Sequence, residues 1–500
     1  MYRFVFALLA GIALGLTGAP KFARANIWIV TNTLANGPGS LAQAITDANA
    51  NPGADIIGFN ISGTCPRTIA LGDATPLPAI IDSLSIRGYT QPGASANSSE
   101  FGDNATICIQ LRTISGDTVQ NGLRFAPSDT AASFDVSGLS IGGFNDGIRI
   151  EGGNYTIAGN FIGLDADGVT QRTNSYSGIR VEASNSYFAS TRMIGGSDPA
   201  QRNVISENGT GVALYGGAGN LVRNNFIGTT RSGNAAAGNG NGIYAASLSN
   251  DIRDNVVSGN SGTAIRIEGN NAAANTVADN KIGVRGFTAC FPPPCPPGTE
   301  NLGNMGDGVR IAAGAAGNNV ASNTIAWNDG DGISLPDAGA LNWLQANSMH
   351  DNSGLGIDLG VDGVDAIDND ATAPAGAPNR LLNYPFLDSA GGGELGGTVN
   401  GLLQSTNGHY TIEFYADTLL DPSLHGEGRD YLGYGEVDIA NATAGNNGFV
   451  LFHLAIVNSA SLVGRHISAL ARDANGNTSE FSEGRTYMLI DSIFADGFDP

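Results

Sequence analysis

The sequence predicts an all-β chain: a right-handed parallel β-helix followed by a small, immunoglobulin-like β-sandwich. Three observations carry this. Gly supplies 72 of 500 residues, roughly twice the usual share, which points to a turn repeated many times. A short strand of inward, outward, inward type, nearly always opened by Gly, recurs as Ile148-Arg149-Ile150, Ile179-Arg180-Val181, Val212-Ala213-Leu214, Ile243-Tyr244-Ala245, Ile265-Arg266-Ile267, Val309-Arg310-Ile311, Ile333-Ser334-Leu335 and Ile357-Asp358-Leu359. Its steps are 31, 33, 31, 22, 44, 24 and 24 residues. Between these strands lie two further apolar pulses opened by Asn five residues apart, as in Asn220 and Asn225, Asn250 and Asn255, Asn275 and Asn280, Asn318 and Asn323, and Asn342 and Asn347.

Each coil therefore holds three short strands. A helical period of 3.6 would not keep placing apolar residues two apart between Asn and Gly punctuation, whereas period-2 strands do. Coils stacked about 4.8 Å apart pair each strand with those above and below, so eight coils span on the order of 35 Å. Asn and Gly tolerate the left-handed backbone of tight corners, and stacked Asn side chains can form amide ladders.

The ends read differently. Residues 1–25 carry Arg3, an apolar run from Phe4 to Leu16 and Ala23-Arg24-Ala25, the pattern of a signal peptide, so an exported protein, secreted or held at the cell surface, is expected. No later stretch has the apolar length of a membrane span. The net charge of -22 argues against nucleic acid and anionic membranes as partners. Cys65, Cys108, Cys290 and Cys295 are even in number in a chain bound for an oxidising compartment, so two disulfides are expected, and a Cys290–Cys295 bond would staple one loop. The domain reading is signal peptide 1–25, cap and first coils 26–135, β-helix 136–385, sandwich 394–487 and tail 488–500. The sandwich rests on longer alternating strands such as Tyr410–Tyr415 and Phe449–Leu454.

The repeats resemble those of pectate-lyase-like right-handed β-helix proteins. Gly39-Ser40-Leu41-Ala42-Gln43-Ala44-Ile45 is similar to the Cys-Ser-Leu-Arg-Glu-Ala signature that opens many exported bacterial β-helices, departing from it at Gly39, Ala42 and Gln43. The resemblance implies an amphipathic cap there, and the spacing of Leu41, Ala44, Ile45 and Ala48 suits such a helix on its own. It specifies fold rather than chemistry, since this superfold hosts lyases, hydrolases, epimerases, adhesins and binding proteins.

For function, extra residues at 163–177, 228–241 and 283–307 are expected to wall the Gly-opened strand face, because repeat proteins commonly bind where their insertions border. The outward column there reads Arg149, Arg180, Ala213, Tyr244, Arg266, Arg310, Ser334, Asp358, and two residues on it reads Glu151, Glu182, Tyr215, Ala246, Glu268, Ala312, Pro336, Gly360. One reading is a solvated face in which glutamates neutralise stacked arginines. The other is a glycan groove: Tyr215 and Tyr244 stack on sugar rings while Arg180 and Arg266 meet hydroxyls or carboxylates, with Glu182 and Glu268 as further substrate-binding residues.

Asp307 and Asp331 precede Gly in adjacent coils, next to Arg310. Paired carboxylates share a proton or hold a cation, and the resemblance implies that lyases of this superfold use calcium with an arginine base, which would make Arg310 catalytic. Asp473–Glu480 loosely echoes a calcium loop, and Asp358, Asp362, Asp365, Asp368 and Asp370 crowd the junction ahead of the sandwich. Against catalysis, the sequence has no Asp-Asp pair, no Gly-His-Gly and only His350 before residue 400. The leading expectation is a non-catalytic glycan-binding or adhesin-like scaffold, and the rival is a calcium-dependent polysaccharide lyase.

Overall fold

The computed structural model describes residues 24–114, 119–183, 191–287, 298–361, 363–374 and 376–490. Three parallel sheets form the bulk of the chain. The first has eleven strands, from Ile27–Val30 to Trp343–Gln345, the second ten, from Arg67–Leu71 to Ser348–His350, and the third nine, from Asn121–Phe125 to Ile357–Leu359. Strands of one coil go to successive sheets, which is the right-handed parallel β-helix. The Gly-opened strands stack in the expected register, Ile148, Ile179, Val212, Ile243, Ile265, Val309, Ile333 and Ile357 pairing in order. The stack is longer than those eight strands, and eleven coils rise about 50 Å.

Inward apolar residues fill one continuous core, and Arg192, in register with buried Tyr155, enters the inward side with a bond to Ala218 O at 3.1 Å. The helix Leu41–Ala50 closes its first coil: Ser40 Oγ caps it by accepting the Gln43 N–H, and Leu41, Ala44, Ile45 and Ala48 join the core.

Of the two tasks expected of asparagine, the amide ladder is the one it performs at the repeated positions. The left-handed corner residues are those just before the repeated Asn: Asn224, Ser249, Asp254, Ala274, Asp279, Ser322, Leu341 and Ala346 all have φ between 49° and 67°. The asparagines themselves turn their amides inward along the stack. Asn160, Asn203, Asn225, Asn255, Asn280, Asn323 and Asn347 form one ladder, each Nδ2 donating to the next Oδ1. Asn220, Asn250, Asn275, Asn318 and Asn342 form a second. A third, unforeseen ladder runs from Asn174 through Asn208, Asn239, Asn260, Asn304 and Asn328 to Asn352.

The chain ends in two four-stranded sheets facing each other as a sandwich. Leu387, Val399, Ile412, Phe414, Phe452, Ile456 and Ile467 make its core. Tyr415, Leu470 and Phe481 instead enter the β-helix core, so the sandwich plugs the last coil. Side chains continue the ladders across this junction. Asn379 Oδ1 accepts the Asn342 N–H at 2.9 Å, Glu427 Oε2 accepts the Asn352 N–H at 3.0 Å, and Glu480 accepts the Leu359 N–H at 2.9 Å. Burial pushes Glu427 up to about 7 and Glu480 up to about 8.

The Asp473–Glu480 segment belongs to this joint. Asp473 accepts the N–H groups of Asn475 and Asn477, Asn477 Oδ1 accepts the Leu341 N–H at 2.7 Å, and Thr478 Oγ1 accepts the Leu344 N–H at 3.0 Å. Its oxygens are thus spent on the turn and on the last coil. Cys65 and Cys108 are bonded, with Cα atoms 4.8 Å apart. Cys290, Cys295, Asp362, the segment before Arg24 and the tail after Ile490 lie outside the described residues.

Candidate functional site

The corner insertions do not wall the third sheet. The first two fold back as short hairpins bridged at Leu164–Gln171 and Thr229–Ala236, and the described ends of the third meet at Val284–Asn301, over the second sheet. The cause is in the two-residue strands of that sheet, Phe161-Ile162, Val204-Ile205, Phe226-Ile227 and Val256-Val257, which are apolar on both faces. Their outward members Phe161, Val204, Phe226 and Val256 need cover, and Leu164, Ala237, Ala105 and Ile107 provide it. The insertions also bond to one another, Arg231 N–H to Gly168 O at 3.0 Å and Gly286 N–H to Gly233 O at 2.9 Å.

The third sheet's outer face is therefore open, and on it the two expected columns stand in register. Arg149, Arg180, Ala213, Tyr244, Arg266, Arg310, Ser334 and Asp358 pair in sequence. Arg124 extends the column one coil earlier, pairing with Arg149. It was readable in Leu123-Arg124-Phe125, which has the same inward, outward, inward form as the later strands.

The charges of this face are paired along the stack. Arg124 makes a two-pronged contact with Glu151 at 2.8 Å, which holds the Glu151 carboxyl below its usual range. Arg149 bridges Glu151 at 3.1 Å and also binds Glu182. Arg180 donates to Glu182 at 2.6 Å, and Arg266 to Glu268 at 2.6 Å. Arg310 lies 3.9 Å from Glu268 and 3.4 Å from Asp307.

At the centre this chain of ion pairs is interrupted by aromatic surface. The Tyr215 and Tyr244 rings have centroids 5.2 Å apart and tilt by 48°. The Arg180 guanidinium sits 4.6 Å from the Tyr215 centroid and that of Arg266 5.9 Å from Tyr244, within cation–π reach. Six side chains, Glu182, Arg180, Tyr215, Tyr244, Arg266 and Glu268, thus form a near-symmetric strip over four coils, about 15 Å long. Tyr215 keeps 47% of its surface exposed. Burial, then the Glu268 charge, pushes the Tyr244 hydroxyl up, so it remains a hydrogen-bond donor at neutral pH.

Asp307 and Asp331 do come together, in a different manner from a cation cradle. Asp307 Oδ1 accepts the Asp331 N–H at 3.1 Å, and its Oδ2 accepts from Ser334 Oγ at 2.7 Å. Asp331 Oδ1 in turn accepts the Leu355 N–H at 2.8 Å. Gly330 and Gly354 make the stair possible, since a Cβ there would lie 2.3 and 2.1 Å from those carboxylate oxygens. Burial pushes Asp331 up to about 6. Arg310 is held by carboxylates of the same face, and among the described residues no three His, Cys, Asp or Glu side chains converge on a point.

The chain is a right-handed parallel β-helix protein. Residues 108–290, just over a third of it, match the family described as Periplasmic copper-binding protein (NosD). No curated protein matches the chain. The described donors in the matched stretch do not suit copper: it has no histidine, Met193 is its one methionine, and of its two cysteines Cys108 is consumed by its bond to Cys65 while Cys290 lies outside the described residues. The coils are what the match has in common with the described structure. No helix among the described residues is long and apolar enough to cross a membrane.

Proposed function

We propose that this is an exported, non-catalytic binding protein whose third-sheet face takes an uncharged glycan. The observation that carries the reading is the Tyr215–Tyr244 pair set into an otherwise ion-paired face. Stacked tyrosines offer sugar rings an apolar surface, and their hydroxyls offer bonds to the sugar hydroxyls. Arg124, Arg149, Arg180, Arg266 and Arg310 each have a carboxylate partner, so they are neutralised before a ligand arrives. A uronate would have to displace Glu182 or Glu268 and approach a chain of net charge -22, which favours neutral sugars over acidic ones. The Cys65–Cys108 bond and the periplasmic character of the matched family support export.

Calcium-dependent lyase chemistry is the competing proposal, and one preparation separates the two. Acidic polysaccharides are screened for unsaturated-product absorbance with and without EDTA, and binding to neutral and acidic polysaccharides is measured alongside. Binding to neutral glycan without turnover, lost in Tyr215→Ala and Tyr244→Ala, supports the reading. Product formation that disappears in Arg310→Ala and Asp331→Ala overturns it.

A further inference from the structure

The molecule protects almost every sheet end it has. The helix Leu41–Ala50 covers the first coil and the sandwich covers the last. In the sandwich, two of the four edges are the two-residue strands Arg485–Thr486 and Met488–Leu489. The third, Asp430–Ile439, points Asp430, Glu436 and Asp438 into solvent, and charge on an edge discourages pairing with another chain. The fourth, Gly448–Val457, has no strand paired to its outer side among the described residues, although Asp430–Ile439 of the facing sheet runs beside it.

This strand has ten residues and no Asp, Glu, Lys, Arg or Pro. It pairs on one side only, with Gly396–Ser405. Phe449 is 54% exposed, Leu451 74% and Val457 71%. Phe449 turns its N–H and C=O away from the sheet to Asn441. By antiparallel alternation Leu451, His453, Ala455 and Val457 turn theirs the same way, out from the edge. The adjoining sheet face carries an apolar row, Phe386, Leu402 and Leu451, lining a cleft of about 520 Å³.

We propose that Gly448–Val457 pairs antiparallel with the same strand of a second copy of this chain. Two surfaces of net charge -22 meet with least repulsion where neither has a charge, and this edge is such a strip. The strand is also self-complementary. Because Asn441 occupies the Phe449 groups, the register that uses the remaining four residues sets Leu451 against Val457 and His453 against Ala455 around a two-fold axis at Leu454. Every outward N–H from Leu451 to Val457 then meets a C=O, apolar side chains face one another across the seam, and the sheets of two sandwiches become one.

The test is sedimentation of the full chain from about 1 to 100 µM, a range that covers dimers of micromolar affinity. Wild type is expected to dimerise with concentration. Leu451→Asp, at an exposed position, places a charge on the seam and is expected to weaken the dimer about tenfold or more while the thermal unfolding of the chain is unchanged. Adding Val457→Lys to Leu451→Asp sets opposite charges across the two-fold and is expected to restore it. A wild-type monomer throughout, a dimer indifferent to Leu451→Asp, or a double variant that stays as weak as the single one each overturns the proposal. Protection of the Leu451–Val457 amides by a different protein added to a monomeric chain does so too, since the edge then serves that partner.

Discussion

Within the stack and at its C-terminal joint, the same structural task is done by different chemistry. Along the coils, main-chain N–H groups at the corners are taken by neutral amides: Asn255 Oδ1 accepts from Asn225 N–H at 2.9 Å, and Asn280 Oδ1 from Asn255 N–H at 3.0 Å. Where the sandwich docks, the third ladder ends on Glu427 and the last strand of the third sheet on Glu480. An amide is a donor and an acceptor, so it can repeat indefinitely, each residue serving the next. A carboxylate only accepts when ionised, so it terminates a ladder and does not continue one. The cost is a buried ionisable group, and the joint becomes sensitive to pH where the amide ladders are not.

The largest expected effect lies in the stack. Asn255→Leu removes the acceptor for the Asn225 N–H and the donor to Val222 O, leaving buried polar groups unpaired. A loss of about 2–4 kcal/mol in chemical unfolding is expected. A loss under about 0.5 kcal/mol would mean that the ladders are spectators.

The joint comes next. Both carboxyls are raised above their unfolded values, so the folded state binds protons that the unfolded chain releases. Their stabilising contribution is fully present below the ordinary glutamate range and is lost as pH rises through about 7 for Glu427 and about 8 for Glu480. Thermal unfolding of the joint is therefore expected at higher temperature at pH 5 than at pH 8.5. Glu427→Gln keeps an oxygen for Asn352 and cannot ionise, so it should shallow the pH slope of the joint to the part that Glu480 contributes, with a gain on the order of 1–3 kcal/mol at pH 8. An unchanged pH slope in that variant would remove Glu427 from the account.

The exposed ion pairs of the third sheet should matter least. Arg124 and Glu151 are 45% and 25% exposed, and Arg124→Ala is expected to cost under about 1 kcal/mol. A larger loss would show that the arginine column holds the coils together and does not simply neutralise their face.

The fold was legible because its signals repeat: one Gly-opened strand is weak evidence, and eight in series fix register. The two outward columns followed directly, since side chains of strands in register must stack. The third Asn ladder follows the same five-residue step, as in Asn255 and Asn260, Asn323 and Asn328, and Asn347 and Asn352, but at Asn208, Asn239, Asn260 and Asn304 it adjoins Gly, which already accounted for those corners. The insertions were placed on the wrong sheet for an energetic reason. Their own residues do not say where they fold, and the deciding signal was the pairing of outward Phe161 and Phe226 with inward Ile162 and Ile227, which requires a cover on that side. The acidic pair Asp307 and Asp331 was recognisable as neighbours, while its use as a hydrogen-bonded stair depended on Gly330 and Gly354 lying beneath.

The central claim is that the ion-paired third-sheet face binds sugar through Tyr215 and Tyr244. Calorimetric titration of the intact chain with neutral and uronate oligosaccharides of matched length tests it most directly. Measurable binding to a neutral oligosaccharide, abolished by Tyr215→Ala with Tyr244→Ala and little changed by Arg124→Ala, is the expected result. Binding confined to uronates, or neutral binding that survives loss of both tyrosines, would contradict it.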